Sequence, residues 1–411
     1  MKLDAYVAGV GMTPFGKHMD KGLKALGGAA VEAALADAGL AATDLEAAWV
    51  GNAAAGVITG QESIRGEVIL RAIGIGRIPV INVENACASA STAFQQACAM
   101  VTAGLYDVVL ALGVEKLYHP DKTRTFQAFS GAVDVEALAD ILAGLKRSAE
   151  SGGASAAEAA GCGEKRSMFM DLYAAAARAH MAQYGTTVRQ FAAISAKNSV
   201  HGNLNPRAQF REVLTVEQVL AAPPVAPPLT RPMCSPVGDG AAAAVVVSAR
   251  KARALGRSQP VRVAASVLRS GWDHAYEEPG LAELCAAEAY AAAGVGPGDL
   301  HVVELHDASA PAELMAYEAL GLCAKGEGGR LVDEGVTKLG GRLPVNTSGG
   351  LLRKGHPVGA TGIAQIVELT EQLQGRAAAR QVPGARVALA HNGGGNIGID
   401  AAAMCVTILT R

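Results

Sequence analysis

Two stretches decide the fold: AALADAGLAATDLEAAWVG (33–51) and EAYAAAGVGPGDLHVVELH (288–306). Each reads as an alanine-rich helix closed by glycine, then a short turn carrying Asp-Leu, then a strand. Gly39 matches Gly294, Asp44 matches Asp299 and Leu45 matches Leu300, each pair 255 positions apart (294 − 39). A spacing held over three residues marks an internal duplication. The chain therefore reads as two related α/β halves of unequal length.

Outward from the first copy, VILRAIG (68–74), PVINV (79–83), CASASTAFQQACAMVTAG (87–104) and DVVLALGVEK (107–116) alternate strand with helix. That alternation predicts α/β sheets covered on both faces. The rhythm breaks from 121 to 235, which holds the Gly/Ala/Ser tract SAESGGASAAEAAGCG, the helical run MFMDLYAAAARAHMAQYG and the proline-rich APPVAPPLTRP. This segment is expected to be an insertion of helices and loops laid across the mouth of the core. The expected division is 1–120 with 236–258 as the N-terminal half, 121–235 as the insertion, and 259–411 as the C-terminal half. Basic residues from Lys122 through Lys165 to Arg211 could face an anionic ligand, or could simply form a solvated surface.

Composition narrows the function. The 411 residues carry 36 Lys+Arg against 38 Asp+Glu, so no excess of cations exists to neutralise a phosphate backbone, and nucleic acid is not expected as a partner. Seven scattered cysteines without a Cys-x-x-Cys argue against a disulfide framework or zinc ribbon and for a reducing compartment. Runs such as 108–114 and 241–247 fall far short of the roughly 18 apolar residues a membrane helix needs. The N-terminus reads as a first strand, not an export signal, so a soluble, cytoplasmic protein is expected.

Cys87 follows a strand and opens a helix, with Ser89 and Thr92 in the first turn. Unpaired N–H groups at a helix start favour a thiolate and an adjacent oxyanion, although a small buried cysteine would read the same way. His306, His356 and His391 stand in loops or at strand ends of the second half, the arrangement of a composite catalytic site. His301, near the start of its strand, reads as structural or exposed. Gly393, Gly395 and Gly398 fit G-x-G-x-x-G, but too little chain follows for a dinucleotide-binding unit. Without carboxylates at ligand spacing, no metal site is expected.

Cys87 in NACASAS, Gly240 in SPVGDGAAAAVVVS, NTSGG (346–350) and His356 in KGHPVGATG together resemble the thiolase superfamily, in order and spacing over nearly the whole chain. The segments HDAS…PAEL…YEALGLC, YGTT…QFAAISAKN and NLNPRAQF look most like its sterol-carrier-protein branch and bacterial and archaeal relatives. The resemblance implies a thiolase fold of two five-stranded, doubly covered halves with an inserted loop domain that holds coenzyme A. It implies that Cys87 carries the acyl group, that His356 takes the thiol proton and helps bind the thioester oxygen, and that the N–H groups of Cys87 and Gly393 form an oxyanion site. Ser235 matches a serine that touches the pantetheine arm.

The chain also departs from the pattern. His306 replaces the Asn of most thiolases, a change shared with the sterol-carrier branch. His391 replaces the second cysteine, and Ala308 stands where part of that branch supplies another. His391 is then expected to act as the second acid/base, because an imidazole can take and return a proton near neutral pH. The expected activity is degradative cleavage of a 3-oxoacyl-CoA, with coenzyme A as co-substrate and no covalently bound cofactor. The altered acid/base suggests a bulky, branched or aromatic acyl chain such as benzoylsuccinyl-CoA. A retro-aldolase on acyl-CoA and a non-catalytic acyl-CoA-binding scaffold subunit are the alternatives; relatives of the first kind tend to lack the cysteine, so Cys87 counts against it. The expected assembly is a homodimer, with a small OB-fold, zinc-containing subunit as a possible partner.

Overall fold

In the computed structural model, strands β1 (Ala5–Met12), β2 (Ala47–Gly51), β3 (Val80–Val83), β4 (Val108–Glu115) and β5 (Gly240–Ser248) form the first half. Strands β6 (Val261–Ser270), β7 (Val302–Glu304), β8 (Val387–Gly394) and β9 (Ala403–Thr410) form the second. The structure describes residues 3–151, 161–162, 166–256, 259–275 and 278–411. Most of the Gly/Ala/Ser tract, and Lys165, lie outside the described residues.

The strands join in the order β3-β2-β4-β5-β1-β6-β9-β8-β7. Read outward from the central β1–β6 pair, the two halves repeat one topology, and within each only the strand next to the seam strand runs antiparallel to its neighbours. At the seam β1 and β6 pair antiparallel, Ala5 with Val263 and Val7 with Val261. Among the described residues the second half holds four strands rather than the expected five. The fifth place is taken by one parallel bridge between Val345 and Val303, because Asn346 turns into the left-handed region (φ 56°) and ends the extended run.

The duplication extends to single hydrogen bonds. Helices α1 (Leu23–Ala38) and α5 (Leu281–Ala293) end in left-handed glycines, Gly39 (φ 65°) and Gly294 (φ 72°). In the turns that follow, the Asp44 carboxylate accepts the Ala41 N–H and the Asp299 carboxylate accepts the Gly296 N–H, both at 2.8 Å. Between the two half-sheets lie α2 (Ser89–Thr102) and α7 (Thr361–Leu373), in one core with Val109, Ala111, Ala242 and Ala244 of the first half and Ala388 and Ala390 of the second. The alternate residues Leu110, Leu112, Ala243 and Val245 pack on the other face with α1. Strand alternation thus covers both faces of the sheet.

The insertion departs after β4 and returns at β5. It carries α3 (Met168–Tyr184) and α4 (Val188–Asn203), with shorter helices and a two-stranded hairpin. Although it belongs to the first half in sequence, Ala174, Ala177, Phe191 and Ile194 share a core with Leu305, Leu314 of α6 (Ala310–Ala319) and Val406 of the second half. No helix among the described residues is long and apolar enough to cross a membrane.

Candidate active site

Cys87 occupies a one-turn helix between β3 and α2. The turn is built by its neighbours: Asn85 N–H donates to Ser89 Oγ (2.9 Å), Ser89 Oγ donates to the Ala86 carbonyl (2.7 Å), and Asn85 Nδ2 donates to Thr92 Oγ1 (3.0 Å). Ala86, at φ 47°, holds a left-handed conformation that L-residues disfavour, a strain the flanking side chains sustain. His356 follows Gly355 (φ 109°) and is fixed by a bridge to Val237. His306 stands just beyond the end of β7.

These elements bring Cys87, His306 and His356 together, with one ligating atom of each within 4.8 Å of the others. The two imidazole rings meet edge to face, 5.2 Å between centroids. Their hydrogen bonds fix opposite tautomers. Thr361 Oγ1 donates its only proton to the Pro357 carbonyl (3.1 Å), so its contact with His356 Nδ1 (2.8 Å) must run from the imidazole, leaving the lone pair on Nε2. His306 Nδ1 accepts the Gly393 N–H (3.0 Å) and lies 3.2 Å from Asn392 Nδ2, so its proton sits on Nε2. The Asn392 amide is oriented in turn, its Oδ1 accepting from Ser91 Oγ (2.9 Å). One histidine offers the site a base and the other a donor. That proton on His306 also argues against a metal, which would need a lone pair there.

Burial sets the charges. The Cys87 thiol is pushed up to about 12, by burial first and then by the Glu115 carboxylate, against the N–H groups of Gly395 and of Cys87 itself. Burial and then Lys354 hold His356 down to about 3, and burial with the two neighbouring histidines holds His306 well below its ordinary value. The resting site is therefore a thiol between neutral imidazoles.

His391 and Gly393 are engaged by the His306 segment. His391 stands outside the cluster. Its Nδ1 accepts the His306 backbone N–H (3.4 Å), while its Nε2 is buried without a hydrogen-bond partner. Burial holds His391 at about 4. Gly393 gives its N–H to His306, so the amides acting on the Cys87 sulfur are those of Cys87 and Gly395. Ser235 lies beside the His306 segment, its N–H donating to the Ala308 carbonyl (3.0 Å). His301 accepts the Val387 N–H at Nδ1 (3.3 Å), away from the cluster. Sequence reasoning missed Asn392 and Thr361, which set the tautomers. HNGGG and HPVGAT place them one and five residues from a histidine already singled out, but nothing local reveals what they contact.

Behind the site, buried carboxylates hold the loops. Glu304 accepts Ser348 N–H (3.0 Å) and Asp307 accepts Leu351 N–H (2.7 Å), fixing NTSGG, while Asn198 of the insertion donates to Asp307 (2.9 Å). Lys197 pairs with Glu313, and Arg380 with Glu368 (3.0 Å).

Comparison with known proteins places the chain in a family. Residues 5–250 match the family model "Thiolase, N-terminal domain", and 279–411 match "Thiolase C-terminal domain-like". The chain belongs to the thiolase family. It is 38% identical to the acetyl-CoA acetyltransferase of Methanothermobacter thermautotrophicus, covering 97% of this chain and 98% of that protein. It is 36% identical to benzoylsuccinyl-CoA thiolase subunit BbsB of Thauera aromatica, over 96% of each. Among solved structures, an Ltp2-ChsH2(DUF35) aldolase superposes with TM-score 0.76 at 25% identity, covering 98% of this chain and 97% of that one. Human mitochondrial 3-ketoacyl-CoA thiolase, at TM-score 0.70 and 17% identity over 99% and 98%, shares the fold. As a thiolase-type enzyme, the protein is an acyltransferase, and coenzyme A is the substrate common to such enzymes.

Proposed function

We propose that this thiolase cleaves a 3-oxoacyl-CoA through an acyl-enzyme on Cys87. The observation that carries the reading is the meeting of Cys87, His306 and His356 with hydrogen bonds that assign the two imidazoles opposite tautomers. His356 Nε2 takes the Sγ proton, and the sulfur attacks the 3-oxo carbon. The C2–C3 bond breaks with its electron pair passing to the thioester enolate, whose oxygen takes a hydrogen bond from His306 Nε2–H. The oxyanion on the attacked carbon is held by the amides of Cys87 and Gly395. The imidazolium of His356 returns its proton to C2. The same nitrogen then takes the proton of an incoming coenzyme A thiol, whose sulfur displaces Cys87, and Nε2 returns that proton to the released Cys87 sulfur. His391 enters as a neutral donor, able to steady an oxyanion but not to remove a proton from carbon.

The acyl chain we infer is bulky, branched or aromatic, benzoylsuccinyl-CoA being the model case. The kinship with BbsB supports this reading, as does the replacement of a second thiol by His391. We infer a homodimeric core that takes a small OB-fold, zinc-containing partner; the name of that relative as a subunit and the ChsH2(DUF35) component in the aldolase structure support a partner subunit. The aldolase also keeps a second reading in play: retro-aldol cleavage of a 3-hydroxyacyl-CoA, which needs no coenzyme A and no acyl-enzyme.

The test offers 3-oxoacyl-CoAs with coenzyme A, and 3-hydroxyacyl-CoAs without it, to the wild type and to Cys87→Ala. Thiolysis lost with Cys87, and an acyl mass on its peptide, are expected. Cleavage that survives Cys87→Ala and ignores coenzyme A overturns the thiolase mechanism in favour of the aldolase.

A further inference from the structure

At the end of β4 a carboxylate is buried without a cation. Glu115 is fully buried. Its oxygens accept from Asn52 Nδ2 (2.9 Å) and from the N–H groups of Ala53 (3.1 Å), Ala54 (3.1 and 3.3 Å), Lys116 (3.3 Å) and Gly359 (3.0 Å). All of these partners are donors, so a neutral acid would place its O–H where nothing accepts it; the pocket suits the anion. The Lys116 ammonium does not neutralise it, being paired with Asp239 and bonded to the His18 carbonyl (2.7 Å). Among the described residues no ion pair includes Glu115.

The donors come from both halves. Asn52, Ala53 and Ala54 follow β2, whereas Gly359 lies three residues beyond His356, so close that an added Cβ would stand 2.8 Å from Glu115 Oε2. Burial raises Glu115 to about 7 against the pull of four backbone amides, so the charge is in place in mildly alkaline solution. The groups acting on Cys87 are Glu115, then Glu84 in the same direction, with the neutral His306 and His356 rings and the Tyr173 phenol of the insertion also close by.

Resting on the acyl-transfer reading above, we propose that Glu115 is a positioning residue: its carboxylate pins the turn after His356 to the turn after β2, whose Ala54 packs with Val358 and Cys87 in one cluster, and its unneutralised charge confines ionisation of Cys87 to the moment when His356 takes the proton. The balance is simple: one S–H bond breaks, one N–H bond forms, and Glu115 neither gains nor loses a proton. The resting nucleophile is then quiet towards stray electrophiles.

The test follows alkylation of Cys87 by iodoacetamide, read by peptide mass, from pH 7.5 to 10.5, beside thiolysis kinetics. Glu115→Gln removes the charge and is expected to move the alkylation profile down by about one pH unit, roughly tenfold faster labelling at a given pH. kcat should fall about tenfold or more with KM little changed. A folded Glu115→Gln with a wild-type alkylation profile overturns the proposal. If that variant melts, Glu115→Asp decides: the charge kept and the pin shortened should give a wild-type alkylation profile with reduced kcat, and wild-type kcat would refute the positioning role. Alkylation needs no acyl substrate, so a wild type that thiolyses nothing sinks the functional reading while leaving the electrostatic measurement readable.

Discussion

Cys87 lies between two imidazoles that ordinary spacing rules would treat as equivalent and that hydrogen bonding makes opposite. The lone pair of His356 depends on one hydroxyl, Thr361 Oγ1, which accepts from Nδ1. Thr361→Val keeps the shape of that side chain and removes the acceptor, so Nδ1–H loses its partner and the other tautomer becomes competitive. kcat is expected to fall about tenfold to a hundredfold with KM within twofold, read in steady-state thiolysis. Unchanged kcat would show that Thr361 does not set the tautomer. His391 makes a separate prediction through stability. Its folded value, about 4, lies below the ordinary 6.5, so the unfolded chain binds the extra proton first as pH falls, and stability is lost from about 6.5 downward. His391→Gln removes that site. Between pH 7.5 and 5 its unfolding free energy should therefore drop less than that of the wild type, by on the order of 2 kcal/mol, in parallel urea titrations. Equal slopes would mean that His391 is not held neutral by burial.

At the scale of elements, the two copies of helix, glycine, Asp turn and strand carry the argument. Each Asp accepts the N–H three residues before it, and the bond is the same in both copies. Asp299→Ala and Asp44→Ala should each destabilise the chain by about 1 kcal/mol, measured as a shift in urea midpoint, and the double variant should be additive because the sites share no partner. This repeat was readable in the sequence because glycine caps and Asp turns are local grammar, written within a few residues. The missing fifth strand was not, since a left-handed Asn346 leaves no mark that separates it from any other Asn before Thr-Ser-Gly-Gly. The site divided in the same way. Cys87, His306 and His356 announced themselves by residue type at strand ends, but the directions of their protons depend on Gly393, Asn392 and Thr361, and two of those lie far along the chain from the ring they set. The Gly393 amide shows the same limit: residue type places an amide near the sulfur, while only the fold shows that its N–H goes to His306.

Across the whole molecule, the site exists only where the halves meet. Cys87 lies in the turn before α2 of the first half, and His356 precedes α7 of the second, so the approach of these two helices sets the distance between Cys87 and its proposed base. That approach is permitted by Gly362, where a Cβ would stand 1.9 Å from Ser91 Oγ and 2.7 Å from the Ser91 backbone nitrogen. A hydroxyl can rotate away, but a backbone nitrogen in a packed helix cannot without moving the helix. Gly362→Ala should therefore destabilise the protein by about 1–3 kcal/mol and part the two catalytic elements. The contrasting substitution is Gly76→Ala, at an exposed loop position where a Cβ meets nothing within 4 Å, with an expected change within about 0.5 kcal/mol. The informative measurement is activity in the folded Gly362→Ala population, well below its melting temperature. If the inter-half contact sets the Cys87–His356 distance, kcat falls even though neither residue has been touched, because a misplacement near 1 Å costs about a hundredfold in a positioned reaction. Wild-type kcat in a destabilised Gly362→Ala would instead mean that the clamp through Glu115 and Gly359 holds the site together independently of the central helices.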